Sequence, residues 1–267
     1  MIKIKYSQKN IKIPPRSPTP PKLKTILTPK KVRQKKLKMI HVLYGEKKIN
    51  GSKLGKEIKQ TLANKDLSEN THFVLGQQNK DFLLQEGVTE NNIILIDEPV
   101  GPDFPSQNTF FYKIFLLNQA AKRFANDDIL LLDYDCWAVR PLNKKDMHER
   151  LKKSTSPIQF PTYLRKKRWG GHFKSIDGSE QLFGPNCCFV YCRDHDIIRQ
   201  WYEEHLKSSS TLNDEIFLLL VLEKMFGKLS LDRLYDFDTN IINTNYRAKG
   251  TSCYNINNYK DIYFKHN

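Results

Sequence analysis

The chain has 267 residues, 39% of them hydrophobic and 11% aromatic, and carries 44 Lys/Arg against 29 Asp/Glu for a net charge of +15. That length and composition suit one α/β-sized domain and exclude a collagen-like, coiled-coil or wholly disordered chain. The longest apolar run, Ile216 to Leu222, is seven residues, far short of the roughly 20 that a membrane span needs. Residues 1–38 hold 13 of the Lys/Arg, six of the 13 Pro and no acid. Such a segment has too little apolar surface to repay its ordering entropy, so a disordered basic N-terminal tail is expected. It holds Lys and Pro where a signal peptide would hold an apolar stretch, so the expectation is a soluble, cytoplasmic protein without signal peptide or transmembrane segment.

Position decides what the charge means. Residues 39–267 carry 31 Lys/Arg against 29 Asp/Glu, close to neutral. The body of the chain therefore gives no support for a nucleic-acid surface. The end of the tail, KKVRQKKLK, reads either as a solvated stretch or as a patch for nuclear targeting or an anionic surface.

The folded part is expected to run from Met39 to Asn267. Met39–Tyr44 is read as a first strand, Ser52–Ala63 as a helix, and Thr71–Gly76 as a second strand ended by glycine. Lys80–Gln85 suits a helix and Asn92–Asp97 a third strand. Phe110, Ile114, Leu117, Ala121 and Phe124 recur at spacings of 4 and 3, one apolar face of an α-helix capped by Asn108 or Thr109. Ile129–Asp133 reads as a central strand buried on both faces. Further strands are expected at Pro157–Tyr163 and Cys187–Arg193, and helices at Asp196–Leu206 and Asn213–Phe226. Strands and helices alternating at this spacing predict an α/β domain with a Rossmann-like, mostly parallel sheet.

Five cysteines, Cys136, Cys187, Cys188, Cys192 and Cys253, form no CxxC pair. They are expected to be reduced, small core residues rather than zinc ligands. His41, His72, His172 and His205 fit core or surface positions and receive no role. Arg165 to Arg168 and Trp169-Gly170-Gly171-His172 read as a loop, either plain surface or one that closes over a ligand.

The sharpest feature is Asp133-Tyr134-Asp135, directly after the apolar run ILLL. In open parallel sheets, ligands bind beyond the carboxyl ends of strands. If the segment stays extended, residues i and i+2 point the same way and present two carboxylates to one side. Two hard oxygen donors suit Mg²⁺ or Mn²⁺ completed by phosphate oxygens.

The segment LLLDYDCWAVRPL, with its Arg140-Pro141-Leu142 ending, resembles the DXD segment of GT-A-fold glycosyltransferases. The wider pattern is similar to families 8 and 32. The resemblance implies a GT-A-like single domain over residues 39–267 and transfer of a sugar from a nucleotide-sugar, UDP-linked by preference. The acceptor would be a glycan, a protein or another hydroxyl compound. It implies Asp133 and Asp135 as ligands of Mn²⁺ or Mg²⁺, with Asp133 also at the donor, and Lys113, on the helix before the DXD strand, near the donor. Gly184-Pro185-Asn186 before CCFVYCR resembles the glycine-containing approach to the strand beside the acceptor, which brings Asn186 into the site. Asn213-Asp214-Glu215 resembles the acidic start of a helix facing the sugar. Tyr263-Phe264-Lys265-His266-Asn267 resembles the C-terminal element whose His is a third metal ligand. Family 8 continues there with Gly and a Lys-Pro-Trp segment that this sequence does not show, which leaves Lys265 or Lys113 for the diphosphate. Tyr44, at the end of the first strand, is placed at the nucleotide base.

The implied chemistry is electrostatic. A divalent cation and a nearby Lys stabilise the diphosphate leaving group. If configuration inverts, Asp214 or Glu215 deprotonates the acceptor hydroxyl; if it is retained, they position the acceptor. The alternative for both acids is structural, since carboxylates in a helix's first turn favour its dipole. Two other classes stay open at this point: a metal-dependent nucleotidyltransferase, and a non-enzymatic nucleic-acid-binding adaptor that uses the basic tail.

Overall fold

The computed structural model describes residues 34–45, 52–99, 109–134, 136–138, 143–164, 173–174, 180–181, 183–207, 214–227, 242–244 and 264–266. Two compact units divide the chain at Gln34/Lys35. Of the first, only Gln34 is among the described residues, so the expected tail lies outside them.

The elements, in chain order, begin with β1 (Leu37–Leu43), α1 (Ser52–Ala63), the single-turn α2 (Lys65–Ser68), β2 (Thr71–Leu75) and α3 (Gln77–Gln85). They continue through β3 (Ile93–Ile96), α4 (Thr109–Arg123), β4 (Asp128–Leu132), β5 (Cys136–Ala138) and α5 (Lys144–Lys153). Short strands follow: β6 (Ile158–Gln159), β7 (Thr162–Leu164), β8 (Phe173–Lys174), β9 (Glu180–Gln181), β10 (Phe183–Pro185) and β11 (Phe189–Cys192). The order closes with α6 (His195–Lys207), α7 (Asp214–Phe226), β12 (Ile242–Thr244) and β13 (Phe264–His266).

Six strands form the main sheet in the order β3-β2-β1-β4-β11-β6. The pairs β1–β2, β2–β3 and β1–β4 are parallel, and β11 runs antiparallel to both β4 and β6. The chain builds outward from β1 through β2 to β3 and then returns, through α4, to the other side of β1. This reversal puts a topological switch point between β1 and β4, where open α/β sheets bind ligands outside the strands' carboxyl ends. Those ends are Tyr44 and Asp133. Gly45, at φ 79°, and Gly76, at φ 81°, turn the chain away from β1 and β2 in a region that side chains disfavour.

Alternation along β4 divides the core. Ile129 and Leu131 join a cluster with Phe111, Ile114 and Leu117 of α4, Trp201 of α6 and Phe217, Leu218 and Val221 of α7. Leu130 and Leu132 face the other way, to Met147 and Leu151 of α5 and Leu67 of α2. A third cluster joins Leu43, Ile58, Val74, Leu83 and Val88 to Tyr134. Helices thus cover both faces of the sheet, the α/β arrangement expected from the alternating pattern.

Three expectations are adjusted. The first strand starts before Met39: β1 begins at Leu37, where Leu37 pairs with Asp128, and just before it Asp128 N donates to Lys36 O at 2.8 Å. The strand expected over Pro157–Tyr163 is two strands in different sheets, β6 beside β11 and β7 beside β10. Helix α5 was not expected, since only Met147 and Leu151 mark its apolar side. Its start is fixed by Asn143, whose side chain accepts from Lys145 N and Asp146 N. Among the described residues no helix is long and apolar enough to cross a membrane.

Candidate active site

Asp133 follows Leu131 by two, so its side chain continues on the α4 face of the sheet. There the Lys113 ammonium donates to Asp133 Oδ2 at 2.9 Å and to the Cys187 carbonyl at 2.8 Å. Asp214 Oδ2, at the start of α7, lies 3.4 Å from the same nitrogen. Lys113 and Asp214 are nearly closed off, with side chains 6% and 5% exposed, whereas Asp133 is 30% exposed. Solvent, or a ligand, therefore meets this cluster through Asp133.

Each member is brought there by its element. Lys113 projects from α4 between Phe111 and Ile114, both fully buried, and a lysine in that setting needs carboxylate partners. Burial alone would lower its pKa; Asp133 first and Asp214 second outweigh it and hold the ammonium well above its usual value. Burial raises Asp214 above the usual carboxylate range, against the pull of Lys113, and Asp133 adds to the rise. Among the described residues the cluster thus holds two carboxylates to one ammonium.

The Asp133 backbone is also fixed. Its N–H donates to Cys188 O at 2.8 Å, and its carbonyl accepts from Cys136 N at 2.9 Å. The second bond spans Tyr134 and Asp135 and makes the motif a tight turn, not the extended segment expected. The i, i+2 argument for a shared side therefore does not apply. Asp135 itself lies outside the described residues.

After the turn, β5 enters a small second sheet of order β12-β13-β5. β13 runs antiparallel to β5 with His266 opposite Cys136 and Lys265 opposite Trp137. The C-terminal strand thus returns to the end of the DXD turn. The side chains of Lys265 and His266 are outside the described residues. So are Arg165 to Arg168, Trp169 to His172 and Cys253.

The other expected residues are located as follows. Tyr44 is 8% exposed and packs in the core cluster beside α4, near enough to act on the charge of Lys113. Asn186 is 3% exposed; its Oδ1 accepts from Cys188 N at 3.1 Å, while its Nδ2 finds no partner among the described residues. Asn186 precedes Cys187, whose carbonyl is held by Lys113. Glu215 is more exposed than Asp214. Cys136, Cys187, Cys188 and Cys192 are buried free thiols. Burial pushes the Cys187 thiol well up, with Asp214 and Glu215 adding to it, so it is no nucleophile. Sequence reasoning missed the Cys187 carbonyl, which no side-chain pattern marks. It also assigned nothing to His41 and His72, although His41 falls in the strand that ends at the switch point and His72 in its neighbour β2.

No family model matches the chain, and no curated protein matches it. Similar solved structures include mouse xyloside xylosyltransferase 1 in its apo form, at TM-score 0.49 and 12% identity over 86% of this chain and 97% of that one. A glycosyltransferase involved in glycosylation of the major capsid of PBCV-1 is similar at TM-score 0.41 and 13% identity, over 86% of this chain and 93% of that one. The 4-diphosphocytidyl-2C-methyl-D-erythritolsynthase of Anaerococcus prevotii is similar at TM-score 0.42 and 12% identity, over 72% and 82%.

The residues present suit a divalent cation at Asp133. The carboxylate is a hard donor, is open to solvent, and belongs to a cluster with one carboxylate in excess. Among the described residues no group of three or more His, Cys, Asp and Glu forms a complete cation cage.

Proposed function

We propose that this chain is a metal-dependent glycosyltransferase that moves a sugar from a nucleotide-sugar, UDP-linked by preference, to a hydroxyl acceptor. One observation carries the reading: a carboxylate 30% exposed, Asp133, stands at the carboxyl end of the switch-point strand with a buried ammonium on it. The excess carboxylate repels a bare diphosphate, so a donor phosphate needs a cation there. Asp133, with Asp135 and His266, would hold Mn²⁺ or Mg²⁺, which neutralises charge on the departing diphosphate.

The chain's own residues then divide the work. Lys113 keeps its proton and supplies fixed positive charge without reorganising. Asp214 and the Cys187 carbonyl orient it. Asp214 is buried against that ammonium, which favours Glu215, the more open neighbour, as the group facing the acceptor. Asn186, just before Cys187, has an amide nitrogen without a partner among the described residues and suits a donor contact. We assign Lys265, on β13, to the diphosphate and Tyr44, at the end of β1, to the base.

The test is a panel of nucleotide-sugars incubated with the full chain, with and without Mn²⁺. Release of free nucleoside diphosphate from one donor, dependent on Mn²⁺ and lost in Asp135→Ala, supports the reading. Release of pyrophosphate from a nucleoside triphosphate would instead identify nucleotidyl transfer and sink it.

A further inference from the structure

His41 and His72 lie within β1 and β2, and the parallel register sets them side by side. Both are 0% exposed. Their rings stack at 5.1 Å and 21°, and the ring of Tyr134 lies on them, 4.9 Å from His41 and 5.8 Å from His72. Three polar rings thus sit in a layer otherwise built from Leu43, Ile58, Val74, Leu83 and Val88. Apolar residues would fill that layer at lower cost.

The hydrogen bonds explain the choice. Asn70 Nδ2 donates to His41 Nε2 at 3.2 Å, which places the His41 proton on Nδ1. That Nδ1–H donates to the Leu132 carbonyl at 2.9 Å. The Tyr134 hydroxyl lies 2.8 Å from His72 Nδ1, and His72 Nε2 has no partner among the described residues. With Tyr134 as donor, one buried group, Nε2–H, is left unpaired. With His72 as donor, two are left, the hydroxyl proton and the bare Nε2. The first arrangement is the less costly. Both histidines are uncharged: burial lowers His41 to about 4, and burial followed by the His41 charge lowers His72 well below 6.5.

Leu132 and Tyr134 are the residues on either side of Asp133. We propose that His41 and His72 are positioning residues, one tethering the backbone before Asp133 and the other the side chain after it. Together they hold the Asp133 carboxylate in register with Lys113 for the donor. This rests on the transferase reading. It assigns no proton transfer to either imidazole.

The test uses the full chain and three variants, Tyr134→Phe, His72→Phe and the double His72→Phe/Tyr134→Phe. Three quantities are read: melting temperature, amide exchange at Asp133 and Cys136, and kcat and KM for donor hydrolysis. His72→Phe leaves the Tyr134 hydroxyl unpaired in the core and should melt lower. The double variant removes both partners, keeps all three rings, and should regain most of that loss. With the tether gone, amide exchange at Asp133 and Cys136 in the double variant should stay about tenfold faster than in the parent. Its kcat should stay about ten- to a hundredfold lower, with KM within about twofold. If exchange and kcat recover together with melting temperature, the histidines are core packing and the proposal fails. Unchanged exchange in Tyr134→Phe overturns it too. Failure of the transferase reading looks different. The parent would then show no Mn²⁺-dependent UDP binding that Asp135→Ala removes, and amide exchange alone would decide the tether.

Discussion

Asp133 and Tyr134 are adjacent in the chain and serve opposite faces of the sheet. Asp133 meets the Lys113 ammonium at 2.9 Å on the α4 side, while the Tyr134 hydroxyl meets His72 at 2.8 Å on the α1 side. Asp133 continues the face of Leu131, and the turn that follows sets Tyr134 on the opposite face, with Leu43 and Ile58. This gives the turn a functional side and an anchored side.

The Lys113 pair predicts a stability effect that an exposed helix lysine would not give. Lys113→Met removes the charge and leaves Asp214 buried without its ammonium. Breaking a buried pair from one end costs about 3–5 kcal/mol, to be read by urea unfolding. Lys113→Met/Asp214→Asn should regain much of it, because no buried charge is then stranded. A single variant as stable as the parent would show that Asp214 does not depend on Lys113.

Acid should destabilise the fold in two separate windows. The buried His41, lowered from 6.5 to about 4, binds a proton more readily in the unfolded chain. Its stabilising effect is complete above pH 6.5 and declines as pH falls toward about 4, with His72 acting in the same direction. Each such group contributes up to about 1.4 kcal/mol per pH unit in its window. Asp128 acts lower. Burial raises it, but hydrogen bonds from His148 and Tyr191 and the charge of Lys35 bring it from 3.8 to about 2. Its contribution holds above pH 3.8 and disappears between 3.8 and about 2. Melting temperature should fall from pH 6.5 downward, and His41→Gln should reduce the fall in the upper window, where His72 still acts, while leaving the lower one in place.

Much of this was legible in the sequence because apolar period and length report burial directly. β4, α4 and α7 read correctly from ILLL, from the 4-3-4-3 stripe of α4 and from IFLLLVL. Asp133 was marked by its place after a buried strand. The partners of Lys113 were less accessible. Asp214 lies 101 residues away from it in sequence, and its contact depends on how α4, α6 and α7 pack. His41 and His72 looked like ordinary strand residues because their meaning lies in the register between β1 and β2. The turn at Asp133 was missed because alternation says where side chains point only while a strand lasts.

The domain boundary yields a paired truncation test. Lys36 N donates to Asp127 Oδ1 at 3.1 Å, and Lys35 lies 3.5 Å from the buried Asp128 carboxylate. Removal of residues 1–33 should leave stability within about 0.5 kcal/mol of the full chain. Removal of residues 1–38 also deletes two β1 positions and takes the Lys36 N–H from Asp127 and the Lys35 charge from Asp128. That should cost about 2–4 kcal/mol by thermal or urea unfolding. Equal losses from both truncations would place folded structure upstream of Gln34.

Metal dependence follows from the charge count at Asp133. Among the described residues two carboxylates face one ammonium there, so UDP alone should bind weakly and Mn²⁺ should tighten it. Chelation with EDTA should reverse the gain in a calorimetric titration. Asp133→Asn makes a sharper test. It removes one negative charge, releases Lys113 from its nearest carboxylate, and deletes a hard ligand in a single step. Metal-free UDP binding should therefore persist or improve, while the gain from Mn²⁺ collapses toward none. Asp135→Ala should lose the Mn²⁺ gain without the metal-free improvement, because it does not touch Lys113. His266→Ala should weaken the metal effect less than either, since phosphate oxygens and water substitute for one imidazole on β13. Mn²⁺ that tightens UDP equally in the parent and in Asp133→Asn would remove the cation from this turn, and the transferase reading with it.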